Sequence, residues 1–148
     1  MKKFVLDTNL YVRAFRSQDG ANELERHYSE FTPSTYVSSV VMHELLVGAS
    51  TAAKARQVRE DLLGPLTRAG RVITPSHSAW EQAGSAIAGM ARSEGRELRS
   101  VPKSLVNDFL LAASCREFGT TLVTDNTGDF DLIQRYLRHE YMAPWPRR

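Results

Sequence analysis

The stretch Phe4-Val5-Leu6-Asp7-Thr8-Asn9 sets three apolar residues against three polar ones, and Leu10, Tyr11, Val12, Ala14 and Phe15 follow at helical spacing. A short continuous apolar run reads as a buried strand, and a capping-type residue at its end starts a helix. This is the βα unit of an α/β protein. The pattern recurs outward along the chain. Tyr36-Val37-Ser38 precedes Val40, Val41, Leu45, Leu46 and Ala49, with Ser38 or Ser39 as cap. Arg71-Val72-Ile73-Thr74 precedes a helical stretch over 76–93, and Thr121-Leu122-Val123-Thr124 follows a strongly patterned helix over 104–118 that ends at Gly119. Helices are also predicted over 18–31, stopped by Pro33, over 52–68, with Pro65 disturbing the last turn, and over 132–137. Residues 95–102 and 125–130 read as loops, and Glu140-Tyr141-Met142 as an edge strand. The expectation is a three-layer α/β/α fold around a small parallel sheet of four or five short strands, whose order the letters leave open.

The chain has 148 residues, 42% hydrophobic and 24% charged, which suits a single domain over 1–148. Nineteen Lys and Arg against seventeen Asp and Glu give a net charge of +2, which permits a nucleic-acid partner without arguing for one. The lone Cys115 excludes an intrachain disulfide and reads as a core residue. The apolar run before Asp7 is too short for a signal peptide, and no stretch approaches 18 apolar residues. The expected location is cytoplasmic, with no membrane partner.

Carboxylates stand in four awkward places. Asp7 follows the first strand; Asp125, Asn126 and Asp129 follow the fourth. Glu44 lies in VVMHELLVGA and Asp108 in SLVNDFLLAA, both nearly apolar helices. Ligands of open parallel sheets bind beyond the carboxyl ends of the strands, where Thr8, Asn9 and Thr124 also stand. Each acid has a plain alternative: Asp7 as a helix cap, Glu44 as a capping partner, Asp125, Asn126 and Asp129 as turn residues, and Asp108 in a structural role. A lone carboxylate buried in such a helix costs several kcal/mol or takes up a proton, whereas a hard cation such as Mg²⁺ or Mn²⁺ turns clustered acids into ligands. Other chemistries lack their motifs. There is no GxGxxG or GxxxxGKS phosphate loop, no GxSxG, no CxxC and no HExxH, and His43 beside Glu44 points about 100° away from it. A phosphohydrolase with an aspartyl nucleophile fits Asp7, but its second aspartate is replaced here by Asn9.

FVLDTN at 4–9, HELLVG at 43–48, NDFLLAA at 107–113 and VTDNTGDF at 123–130, in this order and spacing, resemble a PIN-domain ribonuclease, most closely a VapC-type toxin of a bacterial type II toxin–antitoxin system. The resemblance spans essentially the whole chain. It implies that Asp7, Glu44 and Asp108 are the acids of a Mg²⁺-dependent endoribonuclease, with Mn²⁺ as a substitute. Asp129 or Asp125 completes the set, with Asn126 assisting. By the same resemblance Asp7 and Asp108 would hold the ion, and Thr8, Asn9 and Thr124 would orient the ligands. Implied partners are an RNA substrate, transfer RNA being the favoured class, a small cognate antitoxin and a second copy in a homodimer. Arg13 and Arg16 after Asp7, and Arg96, Arg99 and Lys103 before Asp108, are the candidate RNA contacts. Arg92, Arg135 and Arg138 are further candidates. A nuclease of RNA maturation without a toxin role, or a catalytically silent PIN-like module that binds RNA or protein, are the other readings.

Overall fold

A computed structural model describes all residues, Met1–Arg148. Five strands form one parallel sheet: β1 (Lys3–Leu6), β2 (Thr35–Ser38), β3 (Val72–Ile73), β4 (Thr120–Val123) and β5 (Glu140–Met142). Their order is β3-β2-β1-β4-β5. The eight helices are α1 (Thr8–Arg16), α2 (Gln18–Phe31), α3 (Ser39–Val47), α4 (Ala52–Gln57), α5 (Gly64–Arg68), α6 (His77–Glu94), α7 (Lys103–Phe118) and α8 (Thr127–Gln134). The fold is the expected α/β/α arrangement, with five strands. The order of the strands, which could not be read from the sequence, puts β1 at the centre beside β4. Lys3 pairs with Thr120 and Leu6 with Val123, and the Asp7 N–H continues the ladder by donating to the Val123 carbonyl at 2.9 Å. The residues just past β1 and β4 therefore meet.

The core explains why such short strands hold together. Val5, Leu6, Val37, Leu122 and Val123 are fully buried between the helical layers, joined by Leu10 and Tyr11 from α1, Val41 from α3 and Phe109, Leu111 and Ala112 from α7. Each large apolar side chain so buried contributes about 1.5–3 kcal/mol. Because α7 is apolar nearly all round, it runs through the interior, and every residue from Asp108 to Cys115 is buried.

Three local expectations are corrected. The helix predicted over 52–68 is interrupted by a wide π-helical stretch, Val58–Leu63, across which the Gly64 N–H donates to the Arg59 carbonyl. Pro65 is the reason: it has no N–H, and its ring would collide with the carbonyl four residues back in a regular helix. It sits instead at the start of α5. The loop predicted over 125–130 is already helical from Thr127, because Phe130 and Ile133 are both buried, which anchors the first turns of α8 in spite of Gly128. The loop predicted over 95–102 contains a short 3₁₀ turn, Leu98–Ser100.

Candidate active site

Asp7 caps a helix and also lines the candidate site, so the capping reading leaves room for the other. Its Oδ1 accepts from the Thr8 N–H at 2.8 Å, closing the start of α1. Its Oδ2 accepts from Thr124 Oγ1 at 2.7 Å and from Asn9 Nδ2 at 3.3 Å. Thr124 Oγ1 in turn accepts from the Asn126 N–H at 2.9 Å. Thr8, Asn9, Thr124 and Asn126 thus form one hydrogen-bonded setting across the ends of β1 and β4. Thr8 Oγ1 also donates to Glu44 Oε1 at 2.9 Å, which fixes α3 to α1 at this point.

These groups border an open cavity of about 630 Å³, lined by Asp7, Thr8, Asn9, Arg13, Arg16, Glu44, Asp108 and Asn126, with Val12, Ser17 and Ser104. Burial differs among the acids. Asp7 and Asp108 are buried; Glu44 is only half-buried and Asp129 is exposed. The expectation that both helical acids stand in apolar surroundings therefore holds for Asp108 but not for Glu44, whose face of α3 opens on the cavity. The Asp108 carboxyl is pushed up to about 8, first by burial and then by Asp7, Glu44 and Asp129. That of Asp7 is also raised by burial, against the opposing pull of the Thr124 and Thr8 hydrogen bonds and with a further push from Glu44. Like charges around a desolvated carboxyl disfavour ionisation.

Asp129 and Asp125 part company. Asp129 accepts from Asn126 Nδ2 at 2.8 Å and is among the charges that Asp108 feels. Asp125 is turned to Arg13, with which it forms an ion pair; Arg13 also bonds Glu23 at 3.0 Å, and Glu23 accepts from Trp145 Nε1 at 3.0 Å. Arg16 reaches the cavity. Arg96 and Arg99 do not line it; they pair with their neighbours Glu94 and Glu97 at 3.4 and 2.6 Å. Lys103 is exposed at the start of α7. Sequence reasoning missed Ser104, whose place four residues before Asp108 on the same helix was the available signal. His43 is exposed on the outer face of α3, and Cys115 is fully buried with its thiol pushed up to about 12.

The sequence matches the PIN domain family over residues 4–135. The chain belongs to the PIN domain family. Among solved structures, this PIN domain is similar in fold to VapBC from Salmonella typhimurium bound to DNA, at 22% identity and a TM-score of 0.68, covering 97% of this chain and 98% of that one. It is also similar to FitAcB from Neisseria gonorrhoeae, at 21% identity and a TM-score of 0.67, covering 97% and 99%. A third is VapBC-5 from Mycobacterium tuberculosis, a member of the VapBC family of toxin–antitoxin systems, at 18% identity and a TM-score of 0.55, covering 97% and 100%. Comparison with curated proteins finds no match.

As the side chains of this PIN domain stand, no three His, Cys, Asp or Glu residues form a group set to hold a metal ion. The donor chemistry nonetheless fits one. The acids offer only oxygen, and Asp108 keeps its proton near neutral pH because it is buried and three other carboxylates face it. A hard divalent cation is the species that such a set accepts.

Proposed function

We propose that this PIN domain is a divalent-cation-dependent endoribonuclease and the toxin of a type II toxin–antitoxin pair, with transfer RNA as its favoured substrate class. The observation that carries the reading is the convergence of Asp7, Glu44 and Asp108 on one cavity from three separate parts of the chain, with Asp129 close enough to act on Asp108. Acids that repel one another in one place cost stability, and a cation-assisted reaction is a reason to keep them.

Asp7 and Asp108 would hold the ion, with Glu44 completing its shell. When bound, Mg²⁺ or Mn²⁺ supplies positive charge at the phosphate and makes water a better nucleophile. The chain's own groups do the rest. Thr124 and the Thr8 N–H lock the Asp7 carboxylate in one orientation, and Thr8 Oγ1 does the same for Glu44. Asn126 steers Asp129. Arg16 at the cavity rim attracts the phosphate backbone, and Arg13 can exchange Asp125 for a phosphate. The pairing of Arg96 and Arg99 with adjacent glutamates makes that loop a weaker landing surface than α1. Phe15, Val47 and Val106, on the three helices that follow or carry Asp7, Glu44 and Asp108, are exposed, which suits burial by a small antitoxin or a second copy.

A second reading is a PIN-like module that binds RNA without cutting it. The absence of a ready three-residue metal group favours it. Incubation of the purified protein with transfer RNA separates the two. Cleavage with Mg²⁺ that stops in EDTA and in Asp7→Asn is the expected result; binding without cleavage under any divalent ion supports the second reading. Growth arrest on expression, relieved by Asp7→Ala and by a small protein encoded beside it, tests the toxin role.

A further inference from the structure

Residues beyond β5 return to α2. The Trp145 ring packs against buried His27, with ring centres 5.5 Å apart, and its Nε1–H donates to Glu23 Oε2 at 3.0 Å. Glu23 and His27 stand four residues apart, on one face of α2, so the same side of the helix holds the indole at its ring and at its N–H. Arg148 adds a bond to the Glu30 carbonyl at 3.2 Å. The Glu23 oxygen that accepts from Trp145 also accepts from Arg13 Nη1 at 3.0 Å, and Arg13 is part of the wall of the acid cavity. A line of contacts therefore runs from Trp145 through Glu23 to the rim of the site.

Arg13 places its two terminal nitrogens on two carboxylates, Nη1 on Glu23 and Nη2 on Asp125. The two are not held alike. Glu23 has a second donor in Trp145, and its carboxyl is kept below the ordinary range first by that hydrogen bond, against an opposing push from burial, and then by Arg13. Asp125, in the turn between β4 and α8, is met by Arg13 alone. A guanidinium is a planar fork, so fixing Nη1 on one carboxylate sets the direction in which Nη2 points. Of the two acids, Asp125 is the one that a phosphate oxygen can replace without loosening the arginine.

We propose that Glu23 and Trp145 are positioning residues for RNA: they keep Arg13 aimed across the rim of the acid cavity, so that a backbone phosphate takes the place of Asp125 while the Glu23 bond stays. The proposal rests on the RNA-cleaving function proposed above. It makes Asp125 a carboxylate that competes with RNA for Arg13.

The test assays variants of the full chain for cleavage of a transfer RNA with Mg²⁺, and for binding of the same RNA in EDTA by fluorescence anisotropy. Trp145→Phe keeps every charge and an aromatic ring on His27 and removes only the N–H. It should raise KM and Kd about fivefold, the worth of one hydrogen bond, and leave kcat unchanged. The effect should vanish in an Arg13→Gln background, where there is nothing left to position. Glu23→Gln should raise KM in the same Arg13-dependent way, whereas Asp125→Asn should lower it about fivefold. Both changes remove one negative charge beside Arg13, so a general field would lower KM in both; the opposite signs belong to positioning. Unchanged KM in Trp145→Phe and Glu23→Gln, a loss confined to kcat, or an effect that persists in Arg13→Gln overturns the proposal. Wild-type protein that neither binds nor cleaves the RNA overturns the nuclease reading as well, so the two failures are distinct. If Trp145→Phe does not fold, the opposed signs of Glu23→Gln and Asp125→Asn decide.

Discussion

Asp108 concentrates the electrostatic tension of the molecule in one side chain. Its carboxyl titrates near 8 in the fold against 3.8 in an ordinary setting. Well below pH 3.8 it is protonated whether folded or not. As the pH rises towards 8 the unfolded chain releases the proton and the folded site keeps it, so stability falls across that window. Asp108→Asn should flatten this slope and raise the stability of the cation-free protein at pH 8 by about 1–3 kcal/mol, while abolishing RNA cleavage. Urea titrations from pH 5 to 8 measure the first effect. Saturating Mg²⁺ should remove the same slope from the wild type. His27 works in the other direction. Burial among Phe4, Tyr28, Phe31 and Trp145 lowers it to about 4 from 6.5. The folded state therefore excludes its proton, and the stability it contributes is complete above pH 6.5 and lost as the pH falls towards 4. His27→Gln should lower the melting temperature at pH 7 but reduce its further drop between pH 6.5 and 4.5. An undiminished drop would assign the acid sensitivity elsewhere.

Among the elements, α1 and α2 meet closely at Gly20 and Arg13, and this joint bears on the site. Ser17 caps α2 by accepting from the Gly20 N–H at 3.0 Å, and a methyl on Gly20 would lie 2.5 Å from the Arg13 carbonyl oxygen. Helix backbones this close leave no room for a side chain, so Gly20→Ala should cost about 2–3 kcal/mol. It should also disturb the Arg13–Asp125 pair at the cavity rim. Urea denaturation checks the stability, and the salt dependence of RNA binding checks the second effect. The elements differ in how far they could be read from the letters. The helix over 104–118 was legible because Leu105, Phe109, Ala112 and Ala113 recur at helical spacing and Gly119 ends it in a left-handed conformation, at φ +64°. The first turn of α8 was not, since Thr127, Gly128 and Asp129 have the chemistry of a turn and only the burial of Phe130 against the sheet makes them helical. The π stretch before Pro65 was visible only as a doubtful last turn, because a proline announces a break without stating its form. At the site, Asp7 and Asp108 were legible as polar residues in apolar company. The different settings of Asp129 and Asp125 were not, because Asp125 turns to Arg13, which is distant in the chain and adjacent only in the fold.

For the molecule as a whole, the decisive fact is the strand order. With β1 beside β4, residues 7 and 124 become neighbours, and α3 and α7 bring Glu44 and Asp108 to the same opening. No local pattern encodes that order. Together with the motifs it resembles, the spacing of the four acidic stretches anticipated the convergence that the topology produces. The net charge is only +2, so the proposed function would need particular arginines, rather than a general field, to hold RNA. At low ionic strength Arg16→Gln should weaken binding more than Arg96→Gln with Arg99→Gln, as measured by fluorescence anisotropy with a labelled RNA. The reverse order would return the landing surface to the loop before α7. Light scattering of the free chain should give twice the monomer mass, and a heavier complex with the antitoxin. The most direct measurement for the whole account is calorimetric titration of the protein with Mn²⁺ at pH 7.5. The account predicts saturable binding in the wild type, with proton release from the acids, and loss of that binding in both Asp7→Asn and Asp108→Asn variants that remain folded. Absence of binding in the wild type, or binding that survives in both variants, would contradict it.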